Sequence, residues 1–172
     1  YSNKAVTKLF GEAGNDNFLV RAFVLATDPG TQAGGGDTEV FGGGGDDNVR
    51  YNINAPLAID GGAGNDTIQV IGTEVADNFV ITEEAIYGAG LNIGFEGVEQ
   101  AEIDGLQGDD TFFVLSTDKD MTVTVIGGLG SDTIRVAGDV TEEIVALEVE
   151  GTSGVVNHSV ISDDPAYDEI YV

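Results

Sequence analysis

Asp16, Asp47, Asp66, Asp110 and Asp132 each stand sixth in a nine-residue run that begins with glycine. The runs are GEAGNDNFL from Gly11, GGGGDDNVR from Gly42, GGAGNDTIQ from Gly61, GLQGDDTFF from Gly105 and GGLGSDTIR from Gly127. Position four is glycine in every copy, and position eight is apolar: Phe18, Val49, Ile68, Phe112 and Ile134. One carboxylate per turn, among glycine carbonyls that no side chain covers, makes an all-oxygen donor set. Calcium takes roughly six to eight such oxygens in flexible geometry, from carboxylates and backbone carbonyls alike. With no cysteine and a single histidine, His158, structural zinc and softer metals have no ligand set. A lone aspartate is too little for a site. Two stacked turns offer two carboxylates and several carbonyls, enough charge to neutralise one divalent ion.

Such stacking requires elements that bring each turn above the previous one. Plain hairpin turns also use Asn-Asp, Gly-Asp or Asp-Asp beside glycine. They do not need glycine at two fixed places, aspartate two residues after the second and an apolar residue two after that. Glycine at positions one and four suits positive φ or close approach of main chain to a ligand. The apolar residue at position eight suits a strand pointing its first large side chain into a core.

The five aspartates fall 31, 19, 44 and 22 residues apart, which suggests coils of about 20–22 residues. On that spacing one coil runs from Asp66 to Gly88, and later coils reach Asp110, Asp132 and Gly154. The corner YGAGLNIGF has Asn92 in place of an aspartate and is expected to turn without a full metal site. Strands from Asp77, Ala101, Met121 and Ile144 are expected along the opposite edge, giving a flattened all-β solenoid. The longer first interval is assigned to a surface loop, ATDPGTQAGGGD over 26–37.

These runs resemble the glycine-aspartate nonapeptide repeats of RTX, or haemolysin-type, calcium-binding proteins. The resemblance implies a right-handed parallel β-roll holding Ca2+ between successive turns. The position-six aspartates named above would be ligands, with turn carbonyls of Gly43, Gly45, Gly62, Gly64, Gly108, Gly128 and Gly130. Glu12 and Leu106 depart from the pattern where it prefers glycine, and the copies are not in tandem, so fewer sites are expected than in a continuous array. Phe95 to Thr117 also looks like repeats within very large secreted bacterial proteins. The function so implied is that of a structural module, secreted or at the bacterial cell surface, which folds on calcium outside the cell. The rival is an adhesive or carbohydrate-binding module that uses calcium only for rigidity.

Charge narrows the partners. The chain carries 31 acidic against six basic residues, a formal −25, while its 41% apolar content is enough for a packed core. Such a surplus repels itself unless counter-ions bind. Nucleic acid and anionic membrane both need basic surface and are poor partners. Asp28, Asp118, Asp120, Glu142 and Glu143 lie outside every run and are assigned to solvent. No apolar run approaches the ~18 residues of a membrane span.

His158, Ser159 and Asp163 are neighbours in an irregular tail without a nucleophile elbow, so no enzyme is expected. Phe18, Phe79 and Phe112 are expected inside, and the scattered tyrosines are read as packing rather than a sugar platform. Residues 1–155 are read as the solenoid and 156–172 as a terminal strand or junction, where DDPAYDEI keeps Asp168 and Ile170 in phase. No polar cap precedes Gly11, and the chain is read as part of a larger protein whose neighbouring modules are partners.

Overall fold

The computed structural model describes residues 6–21, 38–52, 56–136 and 169–171, and among them every regular element is a strand. In chain order these are β1 (Thr7–Phe10), β2 (Asn17–Arg21), β3 (Thr38–Gly44), β4 (Asn48–Asn52), β5 (Pro56–Ala63), β6 (Thr67–Ile71) and β7 (Asn78–Ile81). There follow β8 (Ala85–Gly88), β9 (Leu91–Glu96), β10 (Gln100–Asp104), β11 (Thr111–Val114), β12 (Thr122–Ile126), β13 (Thr133–Val136) and β14 (Glu169–Tyr171).

Two sheets form. One runs β1-β3-β5-β9-β8-β7-β11-β13-β14, the other β12-β10-β6-β4-β2, and every pairing is parallel except the two made by β8. The chain alternates between sheets, so a turn at one edge carries it from the nine-stranded to the five-stranded sheet and a turn at the second edge carries it back. Each coil thereby lies one strand spacing from the last, about 4.8 Å.

The strands obey period two, and the register aligns their inward residues into columns. Val49, Ile68, Ala101 and Val123 stack across the five-stranded sheet, and Val20, Tyr51, Val70, Ile103 and Val125 form the next column. From the other sheet Phe79, Phe112 and Ile134 align, with the two phenylalanine rings stacked 5.1 Å apart. Phe79 and Phe112 are fully buried and Phe18 packs partly buried against the same core, as their strand positions led one to expect.

The coil phase differs from the spacing argument in one respect. The interval from Asp66 to Asp110 is not two coils of 22. It is a half coil of 11 residues to Asp77, then one full coil of 33 that is enlarged by a hairpin excursion. β7, β8 and β9 make that excursion, and Gly88 pairs with Leu91 across the two-residue loop Ala89-Gly90, both at positive φ. Positive φ at both loop residues is the geometry that matches a right-twisted hairpin. Gly88 is therefore a hairpin residue and not a coil corner. β7 lies in the same sheet as β11 and β13, rather than along a separate edge with β10 and β12.

β14 extends the nine-stranded sheet by pairing with β13, placing Ile170 beside Ile134. The loop expected over 26–37, the strand from Ile144, the corner at Gly154, His158 and Asp168 lie outside the described residues.

Candidate functional site

The turn aspartates form two ladders. On the first edge the Asp16 amide donates to Asp47 Oδ1 at 2.8 Å, the Asp47 amide to Asp66 Oδ1 at 2.8 Å, and the Asp66 amide to Glu99 Oε2 at 2.7 Å. On the second edge the Asp77 amide donates to Asp110 Oδ1 at 2.7 Å and the Asp110 amide to Asp132 Oδ1 at 2.8 Å. Position five makes an outer ladder running the other way: Asp46 N to Asn15 Oδ1, Asn65 N to Asp46 Oδ1 and Ser131 N to Asp109 Oδ1. Each turn is thus stitched to its neighbour through both side chain and backbone.

These contacts use only one oxygen of each inner carboxylate. Asp47, Asp66, Asp110 and Asp132 are buried, at most 2% exposed. Their Oδ2 atoms and that of Asp16 are buried without a hydrogen-bond partner. An unsatisfied buried polar group costs about 1–3 kcal/mol, and more when charged. Three of these atoms lie along the first edge and two along the second.

Asp77 supplies the contrast. Its Oδ2 accepts from the Thr73 amide at 2.7 Å and from Thr73 Oγ1 at 2.9 Å, so this turn satisfies its carboxylate from within. Replacing Thr73 by valine keeps the shape and removes the hydroxyl. The expected loss is about 1–2 kcal/mol by chemical denaturation, against under about 0.5 for Thr124→Val on an outward face. Equal losses would show that the hydroxyl does not hold Asp77.

The surroundings of the five oxygens follow from position one. A Cβ placed on Gly11 would sit 2.6 Å from Asp16 Oδ2 and 2.5 Å from the carbonyl oxygen of Gly42 on the next coil. The corresponding space at Gly42 is flanked by Asp47 Oδ2 and Gly61 O, and that at Gly105 by Asp110 Oδ2 and Gly127 O. Glycine at position one is required by this close approach, not by φ. Positive φ belongs to positions two and four, including Gly43, Gly62, Gly128, Gly45, Gly64, Gly108 and Gly130. Glu12 and Leu106 adopt φ of 70° and 72° at position two, so those departures keep the turn shape at some strain.

Turn carbonyls at positions two and three are drawn into the backbone ladder: Glu12 O accepts from Gly44 N, Leu106 O from Leu129 N, and Ala63 O from Gly45 N. The carbonyl flanking the space beside Asp16, Asp47 and Asp110 Oδ2 is that of position one on the next coil, and beside Asp66 it is that of Gly97.

Burial pushes the Asp110 carboxyl up from 3.8 to about 7, with the charges of Asp132 and Asp77 adding to it and the Asp77 amide opposing. Asp66 is also raised, again chiefly by burial, with Asp47 and Glu99 contributing repulsion. In both ladders, therefore, burial disfavours the charged form of a carboxylate.

The structure brings together Asp16 with Asp47, Asp47 with Asp66, and Asp110 with Asp132. It separates Asp66 from Asp110, because the turn at 61–66 leads into the five-stranded sheet and that at 105–110 leads out of it. Asp77 and Glu99 are ladder members that the repeat pattern missed. Asp77 had a signal: GTEVADNFV from Gly72 keeps glycine, aspartate and Phe79 in phase and lacks only the glycine at position four. Glu99 had almost none, because its turn is shortened to Gly97-Val98-Glu99.

Among the described residues no three carboxylates or histidines converge on one point. A site here would be built from a carboxylate oxygen and carbonyls of adjacent coils. Tyr51 is fully buried and Tyr87 is exposed on β8, so these two do not line up as a platform. No protein-family model matches the chain, and no curated protein or solved structure matches it.

Proposed function

We propose that the chain is a calcium-binding structural module of a larger secreted or cell-surface bacterial protein, folding when it meets calcium outside the cell. The observation that carries this reading is the set of five buried aspartate Oδ2 atoms without partners, in a chain of formal charge −25. Asp16, Asp47 and Asp66 would hold ions along the first edge, and Asp110 and Asp132 along the second, with position-one carbonyls as co-ligands. These donors are all oxygen, which suits a hard, flexible-geometry cation. A bound ion supplies positive charge between coils and takes up lone pairs that the protein leaves unmatched.

The residues present fit such an ion in type and burial. Their own work is to fix turn register through the Oδ1 bonds, leaving Oδ2 beside the position-one glycine of its own turn. A chain of this charge resists compaction in the low-calcium cytoplasm and gains order where calcium is plentiful. Calcium titration by calorimetry is expected to give saturable binding at more than one site. Heat signals no larger than those of a nonspecific acidic polymer would reject the reading.

A further inference from the structure

Arg21 and Arg50 stand out because positive charge is scarce. The whole chain has six lysines and arginines. Among the described residues Lys8 pairs with Glu39, Lys119 pairs with Asp120, and the Arg135 guanidinium lies over the Phe113 ring. Among the described residues Arg21 and Arg50 enter no ion pair, hydrogen bond or ring contact, although acids outnumber bases fivefold in the chain.

Register explains how they stay free. On the outward face of the five-stranded sheet, Leu19, Arg50, Gln69 and Glu102 follow one another across β2, β4, β6 and β10. Glu102 is two strands from Arg50, about 10 Å along the sheet. Gln69 lies between them and donates its Nε2 to Glu102 Oε1 at 3.3 Å. In the adjacent row Arg21 lies beside Asn52. The two arginines are thus diagonal neighbours on the sheet, with Asn48, Asn52 and Gln69 on the same face and Leu19, 60% exposed, beside Arg50. They border a surface cavity of about 470 Å³, within the ~300–1,000 Å³ of small-ligand sites.

We propose that this face is a binding site for a carboxylate-bearing saccharide. The guanidinium fork matches a carboxylate with two parallel hydrogen bonds. Each carboxamide offers both a donor and an acceptor, the combination that neighbouring hydroxyls require. Leu19, exposed beside Arg50, offers an apolar contact for a sugar ring. An acidic peptide would satisfy the arginines, but peptide recognition by backbone pairing would use the end strand β2 of the described sheet rather than side chains on β4 and β6. The site lies on strand faces outside the aspartate turns, so it stands apart from the ion proposal.

The test uses the whole chain at fixed calcium and about 0.15 M salt, where screening acts over about 8 Å. The probes are trigalacturonate, neutral galactotriose and hexaglutamate, titrated by calorimetry. Trigalacturonate is expected to bind saturably, with galactotriose and hexaglutamate weaker by about tenfold or more. The double variant R21Q/R50Q should lose about tenfold or more in trigalacturonate affinity while its circular dichroism and Tm stay unchanged. No binding of trigalacturonate would overturn the proposal. So would equal affinity for the neutral sugar, tighter binding of hexaglutamate, or undiminished affinity in the double variant, which would mean bridging through calcium instead.

Discussion

Gly130→Val is expected to destabilise the fold by about 3 kcal/mol or more, while Gly94→Val changes stability by less than about 1. Gly130 holds φ of 139°, where a β-branched residue is strained by about 1–3 kcal/mol. A Cβ there would also press into the Gly108 peptide, overlapping its carbonyl oxygen and lying 2.6 Å from its carbonyl carbon. The clash is with backbone of the stacked turn, so no side chain can swing away. Gly94 has ordinary φ and nothing within 4 Å of its Cβ position. Its strand would accept valine readily.

Gly14→Val separates the two costs, since Gly14 has φ of 112° but no atom within 4 Å of the added carbon. It should fall between the others, near the ~1–3 kcal/mol of backbone strain alone. Denaturant midpoints for the three variants decide the matter. Identical midpoints for Gly130→Val and Gly94→Val would refute the stacked-turn geometry.

Asp110→Asn is expected to act in opposite directions with and without calcium. In the metal-free protein the folded carboxyl titrates near 7 against 3.8 when unexposed to the fold, so the native state binds its proton more tightly than the unfolded state does. Stability from this group is therefore full below about 4, declines as pH rises towards 7 and stays low above it.

Asparagine removes that ionisation. It keeps an oxygen for the Asp77 amide and turns an NH2 towards the Gly127 carbonyl, which flanks the same space. At pH 8 in chelator the variant should melt higher than the parent protein. In calcium the order should reverse, because the parent gains about 2.7 kcal/mol per independent site at 100 times its Kd and the variant lacks one carboxylate. An Asp110→Asn protein less stable in both conditions would contradict the assignment of strain to this carboxyl.

Much of this arrangement was legible because the turn tolerates few residues. Close approach at position one and positive φ at position four leave glycine, so Gly42 and Gly45 announce their turn before any strand is considered. Burial at position eight follows equally from period two, and Phe112 and Ile134 are fully buried. What spacing could not reveal was the edge on which each turn lies. A half coil returns the same glycine-aspartate corner, so Asp66 and Asp110 look alike in sequence and yet face opposite ways round the solenoid.

The hairpin at Gly88 misled for a related reason: glycine serves a two-residue hairpin loop and a coil corner through the same φ freedom. Asp77 escaped because Val75 replaces the glycine at position four, and Thr73 supplies the hydrogen bonds that make the turn self-sufficient. Glu99 reaches the Asp66 amide with a longer side chain from a shorter turn, and no fixed nonapeptide spacing finds such a trade.

The central claim is that cations complete the two aspartate ladders and so hold the coils together. Its most direct test is a calcium titration of the chelator-treated chain followed by far-ultraviolet circular dichroism, with a thermal melt at each point. The chain should be expanded and weakly structured in chelator, with a cooperative gain of β signal and a rising Tm as calcium is added. Magnesium should substitute poorly because it demands tighter octahedral geometry. A β signal and Tm that stay the same from chelator to saturating calcium would contradict it.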